Sequence, residues 1–268
     1  MKHLFSRVGI LVLSLFLAPV FTGLAADGEL ILPPPLNISP PGTSGLKPDG
    51  IMRAFLGIPY RPDGVINDNG RYALFNAPDT PLSSPGLNCS GLVLSASRIF
   101  LRKNIPLAQA VNDRENDSGP GSALGHDWDF GFDLIMNISE GTQRRLLAPQ
   151  NKDGGDAFTG GTVPTVNPHD PEFTAYLLPR IREDALYLVS FSKHTSPAAS
   201  AFVHHHVGII IREHDAVWLY STTHGSARAI RFNLSSPQGL AAFRKSFKNT
   251  KRSYKRLTIV EMPPPAAG

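Results

Sequence analysis

Cys89 is the only cysteine in this 268-residue chain, so no intramolecular disulfide can staple it. Charge of one sign is scarce as well. Lys and Arg number 26 against 22 Asp and Glu, for a net charge of +4, and Lys2 and Arg7 supply two of those charges. Such a weak excess does not describe a nucleic-acid binder. The basic residues Arg244, Lys245, Lys248, Lys251, Arg252, Lys255 and Arg256 read as a solvated face. No internal repeat is present, which removes solenoid architectures. No apolar run reaches the roughly 20 residues of a membrane-spanning helix.

The longest apolar run, Val8 to Phe21, follows Lys2 and Arg7 and precedes the small residues Gly23, Ala25 and Ala26. A basic start, an apolar centre and small residues before a polar one are the order of a secretory signal peptide. Residues 1–25 are therefore expected to be removed, leaving no stable membrane anchor. No cysteine follows the run, so a lipoprotein anchor is excluded. Residues 26–48 hold Pro33-Pro34-Pro35 and Pro40-Pro41, an extended spacer with too few apolar anchors for a core. The tail 263–268 has the same character.

The folded domain is expected over 49–262. Ile51, Ala54 and Phe55 stand at helical spacing before Gly57 and Pro59. Asn88 or a neighbour caps a second helix whose apolar face holds Leu92, Val93, Ala96, Ile99 and Phe100. From Ala185 onward, β-rich runs at 185–191, 207–211, 217–220, 227–232 and 257–260 form a meander, with Arg212-Glu213-His214-Asp215 as a hairpin turn. Ser236-Pro237 starts a short helix bearing Leu240, Phe243 and Phe247. Early helices followed by antiparallel strands predict an α+β domain. The stretch at about 104–180, rich in Gly, Asp, Asn and Pro, reads as an insertion with one or two short elements.

A lone cysteine in an exported chain is either a small buried hydrophobe or a thiol kept for chemistry. Cys89 stands at the predicted start of a helix, where the dipole favours thiolate. A nucleophilic thiol also needs a histidine brought close by the fold. His204-His205-His206 precedes a strand, and strict alternation puts His204 and His206 on one face and His205 on the other. His224, Tyr220 and Ser221 are polar candidates to orient the imidazole.

Asn88-Cys89-Ser90-Gly91-Leu92-Val93 resembles the Asp-Cys-Ser-Gly-Phe/Leu-Val motif of the NlpC/P60 family of cell-wall cysteine peptidases. His206-Val207-Gly208-Ile209 resembles that family's His-Val-Gly/Ala-Ile strand. Leu56-Gly57-Ile58-Pro59-Tyr60 is similar to its Gly-x-Pro-Tyr segment, and Glu183 to Val189 to its Pro-Gly-Asp-Leu strand. The chain departs from the family at Asn88, where Asp is common, and at Arg61-Pro62-Asp63-Gly64, where Trp-Gly-Gly is common. The resemblance implies a papain-like fold, with N-terminal helices packed on an antiparallel sheet. It implies hydrolysis of peptidoglycan stem peptides, often at a γ-D-glutamyl bond to a diamino acid, in the bacterial periplasm or cell envelope. It makes Cys89 the nucleophile, His206 the general base and His224 or Tyr220 the third member. Tyr60, Asn88 and Ser90 would line the substrate site. No cofactor, no nucleic-acid partner and a monomeric state are expected.

Rival readings keep the same residues. A non-hydrolytic wall-binding module, or an amidase or acyltransferase on another substrate, would use the same fold. His204 and His206 with His214, His224 or Asp215 could hold zinc, although the spacing matches no familiar ligand set. Asp113-Arg114-Glu115-Asn116-Asp117 lacks the glycine and terminal acid of a calcium loop. His126-Asp127-Trp128-Asp129 reads as a turn with one buried aromatic.

Overall fold

The computed structural model describes residues 47–114, 130–147, 164–194, 202–250 and 254–265. The signal segment, most of the proline spacer, Glu115 to Asp117 and His126 to Asp129 lie outside the described residues. The elements run α1 (Pro48–Arg53), β1 (Gly64–Ile66), β2 (Tyr72–Leu74), α2 (Cys89–Leu101), α3 (Leu107–Ala110), α4 (Phe130–Ser139), β3 (Arg145–Leu146), β4 (Leu186–His194), β5 (Phe202–Glu213), β6 (Ala216–Thr222), β7 (Ala229–Asn233), α5 (Pro237–Ser246) and β8 (Tyr254–Met262). The domain is α+β, as its sequence pattern predicts. Among the described residues, no helix is long and apolar enough to cross a membrane.

Six strands form one antiparallel sheet in the order β3-β8-β4-β5-β6-β7, and β1 pairs with β2 in a separate hairpin. Alternation splits the six-stranded sheet into two apolar faces. On one face Leu186, Leu188, Val207, Ile209, Tyr220 and Val260 pack under α1, α2 and α4. On the other, Tyr187, Val189, Phe191, Ile210, Leu219 and Ile259 meet Phe173, Phe243 and Phe247. The stretch read as an insertion supplies α4, whose Phe132, Leu134, Ile135, Met136 and Ile138 are all buried in the first core.

The alternation breaks once. β4 and β8 pair without interruption from Leu186↔Met262 to His194↔Tyr254, so β4 itself is regular. Against β5, however, Phe191 stands opposite His206 while Ser192 stands opposite His204. His205 is the extra residue of a β-bulge on β5. One inserted residue shifts everything before it to the other face.

Local chemistry fixes the start of α2. Asn88 is its N-cap, and its Oδ1 accepts from the Gly91 N–H at 2.7 Å. Gly91 allows the helix to lie against β1: a Cβ there would overlap the Gly64 carbonyl and sit 2.9 Å from Val65 Cα. Further along, Arg98 is buried and donates to the carbonyls of Ile66 at 2.7 Å and Ile105 at 2.9 Å, with Asp68 as its ion partner at 2.5 Å. Cap, close approach and buried guanidinium together fix the start and body of α2 against β1.

Replacing Gly91 with Ala is expected to destabilise the fold by about 1–3 kcal/mol, because the neighbour it meets is unyielding backbone. Denaturant unfolding, with Ala96→Gly as a helix-propensity comparison, measures the difference.

Candidate active site

Cys89 is the first helical residue of α2 and is half-buried. Burial pushes its thiol up. Backbone N–H groups of Val207, Ser90 and Cys89 itself, with the Ser90 side chain, act in the opposite direction. Ser90 Oγ stands 4.0 Å from the sulfur. Removal from water is the largest influence, so the resting thiol is held above its ordinary value. The N–H groups are already in place for a thiolate or for an oxyanion formed beside it.

The three histidines of β5 have separate fates. His204 lies on the α2 and α4 side of the sheet, the side that Cys89 occupies. It is buried, its ring is 5.3 Å from that of Phe132, and its Nδ1 is 2.8 Å from Ser190 Oγ. His205 is exposed on the bulge, with Nε2 3.3 Å from Lys255 Nζ. His206 points away from Cys89, into the second core. Its ring lies 5.1 Å from Phe191 and 5.4 Å from Phe247, and its Nε2 is 2.8 Å from Ser221 Oγ. Burial first, then His205 and Lys255, hold the His206 imidazole down to about 3. The structure thus brings His204, and not the expected His206, to the thiol's face. The cause is the bulge at His205, which strict alternation does not foresee.

Tyr60 and His224 come together. Their rings meet edge to face at 5.9 Å. Tyr60 pairs with Leu87, two residues before the thiol, and its N–H donates to the Ala227 carbonyl. His224 opens a 3₁₀ turn, His224–Ser226, that Thr223 caps. The Tyr60 bridge to Leu87 thus joins this pair to the strand-like segment that leads into α2. Tyr220 is directed elsewhere: its hydroxyl lies 3.2 Å from Arg231 Nη1. Asn88, expected to contact substrate, spends its side-chain oxygen on the helix cap.

Zinc ligation through His204 and His206 does not fit, because the bulge sends the two rings to opposite faces of the sheet. His214 and Asp215 line a depression of about 430 Å³ with Arg53, Glu213, Trp218 and Arg231, at the β5–β6 turn. That turn lies at the opposite end of the hairpin from Val207 and the thiol. Among the described residues no three His, Cys, Asp or Glu side chains form a metal-sized group.

No family model matches the sequence. No curated protein matches it either. Among solved structures, the chain is similar to the crystal structure of protein LPG0564 from Legionella pneumophila str. Philadelphia 1, of the family described as DUF1460. That match has 11% identity, covers 81% of this chain and 88% of the other, and has a TM-score of 0.48.

These comparisons overturn the resemblance to the NlpC/P60 peptidases, since neither that family's model nor any other matches. The residues behind the resemblance have structural employment. Asn88 caps α2, Gly91 lets it touch β1, and Gly208 faces the Tyr220 carbonyl, which a Cβ would approach to 2.9 Å.

Sequence reasoning missed Ser190 and the Val207 N–H. Ser190 interrupts the apolar run from Leu186 to Phe191 in β4, and a serine there was the available signal. The Val207 amide carries no side-chain signal at all.

His206 also makes a pH prediction. Its native value is about 3, against about 6.5 for an unfolded histidine. The unfolded chain therefore binds more protons between those values, and stability falls as pH drops through that window. Thermal midpoints measured from pH 7 to pH 3 should show a steeper loss for wild type than for His206→Phe, which has nothing to protonate.

Proposed function

We propose that the protein is an exported Cys–His hydrolase that cleaves amide bonds in cell-envelope peptides, with peptidoglycan stem peptides as the substrate class. The supporting observation is the thiol of Cys89 at the N-terminus of α2, where nearby backbone N–H groups, that of Val207 first among them, oppose the effect of burial on the thiol. The export reading rests on the basic and apolar N-terminal segment of the sequence; the substrate class is what the digestion below tests. In this reading the arrangement is papain-like: a cysteine at a helix start faces a histidine on the packed sheet.

Cys89 Sγ attacks the substrate carbonyl carbon, forming the C–S bond. His204 takes the thiol proton and returns it to the leaving amine as the C–N bond breaks. Water then attacks the thioester, with the same imidazole as base, and releases the acid and the free thiol. The N–H groups of Cys89, Ser90 and Val207 stabilise the oxyanion of each tetrahedral species. Ser190 fixes the His204 ring through Nδ1. Tyr60 and His224 border the substrate. Burial raises the thiol, so proton transfer to His204 accompanies attack and a standing ion pair is not required.

That same burial supports a second reading, a binding module on this fold whose cysteine is inert. Digestion of purified peptidoglycan, followed by mass spectrometry of the fragments, separates the two. Cys89→Ala and His204→Ala should each lose at least about a thousandfold in kcat, whereas His224→Ala should lose less than about tenfold. Full activity of folded Cys89→Ala refutes the hydrolase. Retained wall binding without thiol alkylation near neutral pH identifies the module.

A further inference from the structure

His206 is too deeply enclosed, and on the wrong face, to exchange protons with a substrate at Cys89. Its hydrogen bond nevertheless crosses the sheet at a particular place. The β5–β6 ladder runs from Glu213↔Ala216 to Ile209↔Tyr220 and ends there, although both strands continue. Beyond that last pair β6 keeps its pairing with β7, through Ser221↔Ile230 and Thr222↔Ala229. Val207 lies in this fork. It still pairs with Ser190 of β4, and its N–H is among the groups that pull the Cys89 thiol down against burial.

On the opposite face of the same fork, His206 Nε2 and Ser221 Oγ join the two strands at 2.8 Å. Phe191 and Phe247 pack around the imidazole and leave it little freedom. The side chains are therefore tied precisely where the backbone ladder no longer ties the strands. Val207 is the next residue along the chain, so any rotation of the His206 peptide moves its N–H relative to the sulfur.

We propose that His206 is a positioning residue for the Cys89 site: its hydrogen bond to Ser221 closes the β5–β6 fork from the far face and holds the Val207 N–H on the thiol sulfur. The inference rests on the reading of Cys89 as nucleophile only for its effect on turnover; its effect on the thiol stands independently. His205 and Lys255 are the charged or titratable groups beside His206, and burial keeps the ring neutral. The clamp is accordingly the same at every pH where the enzyme works.

The test measures the pH profile of Cys89 alkylation by iodoacetamide, together with kcat and KM, in the full chain. Ser221→Ala removes one end of the clamp and leaves the imidazole packed. It should raise the midpoint of the alkylation profile by about one pH unit, a tenfold loss of thiolate below it. It should also lower kcat about tenfold with KM unchanged. His206→Leu should do the same, and His206→Gln, whose amide nitrogen reaches the Ser221 hydroxyl, should restore most of both. An unchanged alkylation profile in folded Ser221→Ala overturns the inference even if His206→Leu fails to fold. If the profile shifts while Cys89→Ala hydrolyses normally, the clamp stands and the hydrolase reading falls.

Discussion

The bulge at His205 decides how this site can work. β4 keeps perfect register with β8 along its length, so the sheet is not generally irregular. The single extra residue sits on β5 and reverses the faces of everything that precedes it. Without it, His204 and His206 would share a face, both turned toward the aromatic core and away from the thiol. With it, one imidazole joins the thiol's side and the other is sealed among phenylalanines. Neighbouring residues of the same type are thereby divided into a candidate base and a neutral strut.

The thiol's position depends on a second set of constraints, acting on α2. The Asn88 cap, the Gly91 approach to Gly64 and the buried Arg98 fix the helix at its beginning and along its body. A helix start is useful to a sulfur only if the first N–H groups are oriented and the sulfur is held among them. Here the sheet adds another donor from Val207. Burial and hydrogen bonding oppose each other at Cys89, and burial is the stronger at rest. A thiol held up in this way stays protonated at rest.

Much of the fold was legible because it follows local rules. The helix starts at Asn88 and Ser236, the five strand runs after Ala185 and the polar hairpin turn all appear where period and capping place them. The α4 helix was less legible, because its surroundings are rich in turn residues and even its polar Asp133 and Asn137 are buried with its apolar side chains. A helix buried on every side carries no polar face to give it a period. The family resemblance misled for a related reason: cap, close-packing glycine and apolar strand are demands of packing, and unrelated chains meet them with the same residues.

By itself the sequence determined that the chain has one thiol, that this thiol begins a helix and that three histidines adjoin an apolar strand run, because those facts are local; the strand itself starts earlier, at Phe202, and includes them. Which histidine shares a face with the sulfur was decided by tertiary structure alone. The bulge exists only in the pairing of β5 with β4, and no count along β5 reveals it. The influence of Val207 is likewise tertiary, since a backbone N–H is present at every non-proline residue and only the packing of α2 on β5 brings this one near the Cys89 thiol.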